Sequence, residues 1–391
     1  LVGAVALTVA LVATGCIRWH PPVLIATGYL PGAQARAVAF GDVTGDGLDD
    51  PLVLTNGYVV RLAPCGVGCV TIAQRLATDS ALRFVVGDVD EDGIEDVIVA
   101  GPGQDATVLF GGTGTPSRPV GLSPDDARSF PMGSAEPSDL GDVDGDGHLD
   151  LVVLSSSSVA WHAGDGSGGF GPQQLLFSDA SRVSLIEALA GDLDGDGEDE
   201  VVTSGYDRDR SGRCGSSYEV SVFGLGSATI DEALVLRDGP ITHVQQLADV
   251  DGDGRADLLG RSCQASLAFV RSTGSSFTAF PRERFTRTVG ALGAMVAGDL
   301  DADGRVDLVV SGRDDQSVRF WNGTAVGAGT PTPAAPFPLG VDLTLGASVR
   351  GSPQSLAMGD VDGDGLPELL AASTADRAGV VFVANDSVPT P

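Results

Sequence analysis

An all-β fold, a seven-bladed β-propeller of four-stranded antiparallel blades closed by an N-terminal outer strand, is predicted for this 391-residue chain by three features of its sequence. An acidic ten-residue motif recurs seven times. Each copy lies between short apolar runs of strand type and is followed by a second pair of such runs, which makes four strands per unit. The last unit is one strand short, and a strand-like segment without a unit of its own precedes the first.

The motif reads GDVTGDGLDD from Gly41, GDVDEDGIED from Gly87, GDVDGDGHLD from Gly141 and GDLDGDGEDE from Gly191. It returns as ADVDGDGRAD from Ala248, GDLDADGRVD from Gly298 and GDVDGDGLPE from Gly359. The first aspartates are 46, 54, 50, 57, 50 and 61 residues apart, the length of one supersecondary unit per repeat. The loops proper run over 42–50, 88–96, 142–150, 192–200, 249–257, 299–307 and 360–368.

Strands are expected on both sides of each loop. ARAVAF, LRFVV and QSLAM precede loops, and DVIVA, DLVVL and DEVVTS follow them. Further runs such as YVVRLAP, VTIAQRL, ATVLFGG and YEVSVFG supply the second pair. A sheet apolar on both faces must be covered on both, and radial packing of such sheets does this. After Glu368 the sequence offers LLAAS and GVVFVAND but no fourth strand. The segment PVLIATGYL, residues 22–30, is expected to supply that outer strand and latch the ring, so that the propeller occupies 22–388.

Four carboxylates within nine residues repel one another unless something positive lies among them. Counting from the first Asp, positions 1, 3, 5 and 9 are acidic in six of the seven copies, position 6 is always Gly, and position 7 varies freely, as a backbone-carbonyl ligand can. Hard oxygen donors at alternating positions around a glycine turn point to Ca²⁺, up to seven ions with a structural role, ahead of the tighter octahedral Mg²⁺. An EF-hand would need Glu at position 12, and Val53, Val99, Val153, Thr203, Gly260, Val310 and Ala371 stand there. A metal-free Asp/Gly turn is the alternative for any single copy. Seven copies on one frame favour the metal.

The charge balance agrees. Against 53 acidic residues there are 23 basic ones, all arginine, for a formal net charge of -30, which disfavours nucleic acid and anionic membranes as partners. The four loop positions account for 27 of the acids, and seven calcium ions would bring the charge to -16. With 42% hydrophobic residues and a mean hydropathy of +0.15, the chain can still bury a core.

Residues 1–15 are an apolar run, too short to span a bilayer, that ends in ATGC; they read as an export signal. The ending resembles a bacterial lipobox, with Cys16 as the lipidated residue and 16–21 as a tether; a plain secretory signal and a buried N-terminal helix are the alternatives. The expected location is the cell envelope, lipid-anchored at the outer membrane or in the periplasm, or otherwise secreted. Four further cysteines suit an oxidising compartment. Cys65 and Cys69 bracket CGVGC between two strand-like runs, which favours a hairpin-tip disulfide over zinc, since the four histidines lack ligand spacing.

On these motifs the chain, from about residue 22 to 386, resembles the FG-GAP/VCBS repeats of integrin-α-like propellers. The resemblance implies calcium ligands at Asp42, Thr44, Asp46, Leu48 and Asp50; Asp88, Asp90, Asp92, Ile94 and Asp96; and Asp142, Asp144, Asp146, His148 and Asp150. It implies the same for Asp192, Asp194, Asp196, Glu198 and Glu200; Asp249, Asp251, Asp253, Arg255 and Asp257; Asp299, Asp301, Asp303, Arg305 and Asp307; and Asp360, Asp362, Asp364, Leu366 and Glu368, position 7 acting through its carbonyl. The first site, with Thr44 for a carboxylate, is expected to be the weakest. In such propellers ligands bind the face opposite the calcium loops. There YDRDRSGRCGSS and GRSCQA would place Cys214 and Cys263 on neighbouring blades, with a disulfide between them. GLSPDDARSFPMGSAEPSDL and GTPTPAAPFP are expected as surface loops.

Two function classes follow. A non-enzymatic adhesion or interaction module would bind protein or glycan through the loop face, as a monomer. The alternative is a hydrolase or polysaccharide-acting lyase using the propeller face. No G-x-S-x-G or H-E-x-x-H occurs, and AWHAG is read as a packed Trp161 beside a surface His162 on a third strand, so no catalytic residue is assigned. The binding module is the leading reading.

Overall fold

The computed structural model describes residues 18–19, 23–25, 35–66, 69–78, 81–101, 103–114, 120–179, 183–207, 218–224, 233–237, 241–262, 267–279, 292–312, 317–321, 323, 340–344, 353–373, 380–383 and 385–386. Strands account for all the regular structure among them. The N-terminal pieces are β1 (Arg18–Trp19) and β2 (Val23–Ile25).

Six sheets are built from four consecutive strands each. The first holds β3 (Ala35–Gly41), β4 (Asp50–Thr55), β5 (Tyr58–Gly66) and β6 (Cys69–Ala77). The second holds β7 (Arg83–Gly87), β8 (Asp96–Ala100), β9 (Ala106–Phe110) and β10 (Ser123–Phe130), and the third β11 (Glu136–Gly141), β12 (Asp150–Leu154), β13 (Ser158–His162) and β14 (Gln174–Ser178). The fourth comprises β15 (Val183–Gly191), β16 (Glu200–Asp207), β17 (Tyr218–Phe223) and β18 (Ala233–Arg237). The fifth comprises β19 (His243–Ala248), β20 (Asp257–Arg261), β21 (Leu267–Ser272) and β22 (Phe277–Ala279). The sixth comprises β23 (Leu292–Gly298), β24 (Asp307–Gly312), β25 (Ser317–Trp321) and β26 (Gly340–Thr344).

The sheet carrying the last acidic loop differs. Six blades, not seven, are made of four consecutive strands; this sheet is composite, because β27 (Pro353–Gly359), β28 (Glu368–Ser373) and β29 (Val380–Val383) take β2 as their outer strand. Val23, Leu24 and Ile25 pair antiparallel with Phe382, Val381 and Val380. β1 pairs in turn with β30 (Asn385–Asp386).

The strand that follows each acidic loop is buried on both faces: every residue of β4, β8, β12 and β24 is buried. Successive side chains of a strand point to opposite faces, so each such strand feeds two inter-sheet cores. Leu370 and Ala372 of β28 pack with Val38, Val53 and Val60 of the first sheet. Leu369 and Ala371 pack with Val309, Val318 and Phe320 of the sixth. The composite sheet is therefore wedged between the first and sixth sheets, and β27 lies against both β23 and β3.

First strands have only one hydrogen-bonded neighbour, an arrangement open to unwanted pairing. Most are irregular: the register slips between residues 35 and 37, 137 and 139, 185 and 187, 244 and 246, 292 and 295, and 353 and 355. Such bulges twist an edge away from further ladder formation. Polar residues at or beside them reach the next sheet instead. Ser138 Oγ donates to Ala188 O (2.6 Å), Gln245 Nε2 to Gly293 O (2.8 Å), and Val38 N donates to Ser355 Oγ (3.1 Å).

Two expectations are corrected. GLSPDDARSFPMGSAEPSDL is not a surface loop, because it contains β10, the outer strand of the second sheet, and the start of β11. Pro124 of β10 is accommodated where the register slips between Ser123 and Arg128, as an edge strand permits. His162 is on a third strand as expected but is buried, at 2% exposure; its Nδ1 meets Gly171 O at 2.9 Å and its ring stacks edge-on against Phe130. GTPTPAAPFP lies outside the described residues, as do the 1–15 signal and Cys16.

Candidate metal centres in the acidic loops

In all seven sheets the first strand ends one residue before position 1 and the second begins at position 9, so each loop is a hairpin connection of one length. Position 6 turns the chain with φ between 81° and 94°, a region glycine occupies without penalty. Position 4 is also left-handed, and there two copies lack glycine: Glu91 (φ 57°) and Ala302 (φ 56°). The carboxylate at position 1 accepts the amide of position 6, as in Asp42 with Gly47 (2.7 Å), Asp88 with Gly93 (2.9 Å) and Asp299 with Gly304 (2.7 Å). Position 5 accepts the amide of position 7, as in Asp146 with His148 (2.9 Å) and Asp364 with Leu366 (2.9 Å).

Position 9 has a second task that spacing alone does not disclose. Asp96 accepts from Val89 N (3.2 Å) and Gly111 N (2.8 Å), Asp150 from Val143 N (2.9 Å) and Gly164 N (2.8 Å), and Asp257 from Val250 N (3.2 Å) and Ser272 N (2.9 Å). One buried carboxylate thereby ties the start of the loop to the end of the third strand. Burial raises these acids: Asp96 and Asp257 to about 7, Asp150 and Asp307 to about 6, and Glu200 to about 8. A cation beside them would oppose that shift.

The loops also join sheet to sheet. Position 8 was not singled out in the sequence, yet Asp49, Glu95 and Asp199 each bridge to position 1 of the preceding loop. Asp360 N donates to Asp49 Oδ2 (2.8 Å), Asp42 N to Glu95 Oε2 (2.8 Å) and Asp142 N to Asp199 Oδ2 (2.9 Å). The reciprocal bonds run from the amides of Asp49, Glu95 and Asp199 to the carbonyls of Asp360, Asp42 and Asp142, at 2.7 to 3.0 Å. The carbonyl at position 2 is capped from the next sheet as well: Val43 O by Gly112 N, Val89 O by Gly168 N, and Leu193 O by the Ser272 hydroxyl. The only sequence signal for position 8 was the extra acid in LDD, IED and EDE.

Several loops gather their oxygens closely enough for one ion. Ligand atoms of Asp88, Asp90 and Asp96, of Asp142, Asp144 and Asp146, of Asp192, Asp194 and Glu200, of Asp249, Asp251 and Asp257, and of Asp299, Asp301 and Asp303 lie within 4.8 Å of one another in each group. Oδ1 of Asp142 is buried and accepts no hydrogen bond, a costly arrangement for an anionic oxygen without a cation. The donor set fits a hard divalent ion. Thr44 breaks the pattern, its hydroxyl donating to Asp42 Oδ1 at 3.4 Å instead of adding charge. Two arginines join the loops unannounced: Arg61 Nη1 lies 2.8 Å from Asp50, and Arg271 contacts Asp251 and Asp253.

At the opposite ends of the first strands lies a cavity of about 310 Å³ bordered by Arg36, Arg83, Ser138, Glu187 and Ser355. Arg83 crosses it, pairing with Glu187 (2.9 Å) and Glu136 (3.4 Å). The hairpin of β5 and β6 closes with Gly66 opposite Cys69. The side chains of Cys65, Cys69, Cys214 and Cys263 lie outside the described residues, and among the described residues there is no disulfide.

The fold and loops define a β-propeller with an acidic hairpin loop in each four-stranded sheet. The chain carries FG-GAP-like repeats, matched by the family model "FG-GAP-like repeat" at residues 142–203, 249–310 and 299–371. Comparison with curated proteins finds no match. Among solved structures, the chain is similar to a lectin from Agrocybe aegerita described as recognising non-reducing terminal N-acetylglucosamine, at 18% identity and a TM-score of 0.53, over 82% of this chain and 83% of that one. At that identity the likeness concerns the fold.

Proposed function

We propose that this protein is a calcium-stabilised, non-enzymatic β-propeller scaffold of the bacterial cell envelope. In this reading the composite sheet is the seventh blade, and the face opposite the acidic loops binds protein or glycan. Calcium occupies the loops as a structural ion, and export followed by lipid anchoring at Cys16 places the propeller at the membrane. Braces between Cys65 and Cys69, and between Cys214 and Cys263, belong to the same proposal.

The observation that carries it is the convergence of carboxylate oxygens in successive loops, with a buried oxygen of Asp142 that no hydrogen-bond donor reaches. Because several loops also contact a neighbour, as Glu95 does with Asp42, an ion that neutralises such a loop supports the junction between blades. Removing the ions should lower the melting temperature of the whole ring, since binding to the native state alone stabilises it by mass action. A melting temperature unchanged by chelator would refute the calcium reading. The binding function is tested by a calcium-dependent pull-down from envelope extract together with a glycan array. Hydrolysis or β-elimination of a polysaccharide by the pure protein would replace the scaffold with an enzyme.

A further inference from the structure

We propose that in the fifth loop the guanidinium of Arg271 is the resident cation, and that Arg61 has this role in the first loop, so that these two hairpins hold together without the divalent ion the others need. The inference rests on the calcium reading above and divides the seven loops into two kinds.

Arg271 projects from β21 into the loop between β19 and β20. Its Nη2 donates to Asp253 Oδ2 at 2.9 Å, and its Nε forms an ion pair with Asp251 Oδ2 at 2.5 Å. The Asp251 side chain is 3% exposed and that of Arg271 42%, so the arginine reaches a buried carboxylate from the solvent side. Arg255 at position 7 adds a second positive charge, with Nη1 3.0 Å from Asp253 Oδ2 and Nε donating to Asp194 O of the fourth loop. Four carboxylates here face two guanidiniums. The planar fork of arginine can hold two carboxylates at once, as a single ion does.

The strand register shows what is special about this loop. Leu258 pairs with Val270, which places Arg271 opposite Asp257. The equivalent ladder position holds Phe110 in the second sheet, Ala163 in the third and Gly224 in the fourth, none of them charged. In the first loop, where Thr44 removes one carboxylate, Arg61 comes from β5 to Asp50 Oδ1 at 2.8 Å, and both side chains are largely buried. Arg305 of the sixth loop differs in origin: it belongs to the loop itself, at position 7, and pairs with Asp303 at position 5. A divalent ion entering the fifth loop would meet a fixed positive charge at contact range, and the repulsion lowers its affinity there.

The test is a cycle of melting temperatures and ion counts. Arg271→Ala should melt lower than wild type in chelator, and millimolar calcium should recover most of that loss, because the ion takes the vacated seat. Ions bound at saturation, counted by equilibrium dialysis, should rise by one. Arg271→Lys, which keeps a charge, should retain the wild-type count; a gain of one ion in that variant refutes the idea that charge excludes the metal. Equal loss in chelator and in calcium, with an unchanged count for Arg271→Ala, would overturn the inference. If wild type responds to chelator in that experiment, the inference alone falls; if wild type is also insensitive, the calcium reading falls with it.

Discussion

Asp139 offers a sharp test of how the third and fourth sheets are joined. It is half-buried on β11, where its Oδ2 accepts from Ala190 N of β15 at 3.0 Å and its Oδ1 from Leu140 N at 3.0 Å. Burial, with repulsion from Glu187 and Asp199, outweighs these bonds and raises it to about 7, against 3.8 for a free aspartate. Between those values the folded chain holds a proton that the unfolded chain releases, so the stability contributed is complete below about pH 4 and is lost as pH rises through 7. Three units correspond to a ceiling of about 4 kcal/mol. In Asp139→Asn that dependence disappears, while one amide–amide contact costs about 1–3 kcal/mol at every pH. Urea unfolding from pH 4 to 8, at constant calcium, should therefore show wild type ahead at low pH and the variant gaining steadily on it above pH 5. A wild-type minus variant difference that stays level across this range would refute the assignment of a desolvated, protonated carboxyl at this junction.

Further outcomes follow from the loops. Ala302→Gly should stabilise by about 1 kcal/mol, visible as a raised melting temperature, because it relieves a left-handed alanine at φ 56°. Gly164→Ala should cost more than about 3 kcal/mol, since a Cβ there would lie 2.1 Å from Leu149 O, whereas Gly147→Ala, with open space around it, should cost only the backbone strain of φ 87°, about 1–2 kcal/mol. Urea unfolding of the two variants side by side separates collision from strain. Glu95→Ala removes the acceptor of Asp42 N and should raise amide exchange at Asp42 by roughly fivefold, the equivalent of about 1 kcal/mol.

Much of the architecture was legible because it is written locally and repeated. Each acidic decapeptide marks a hairpin, and the apolar runs beside it mark the two strands, as β8 with every residue buried illustrates. The outer strand at Val23–Ile25 was legible for another reason: a sheet one strand short and a strand without a sheet are complementary absences. What escaped was decided by neighbours in space. His162 reads as a polar residue at the end of a strand, and only the ring of Phe130 and the carbonyl of Gly171 make it an interior one. SPDDARSF alternates too weakly to announce a strand, yet it pairs with β9 once that edge is there to receive it.

For the loops the division is similar. Positions 1, 5, 6 and 9 fold against atoms within nine residues of themselves, so the motif by itself determined the turn, its glycine at φ near 85° and the crowding of carboxylates that calls for a cation. The sequence likewise determined the charge of -30 and the number of loops. Only the tertiary structure decided that position 8 clasps the preceding sheet, that Asp139 bridges two first strands, and that Arg271 rather than some other arginine reaches Asp251. The physical reason is range: a hairpin loop closes through contacts a few residues apart, whereas the partner of a charged side chain across a ring of packed sheets is set by which strand the fold brings alongside.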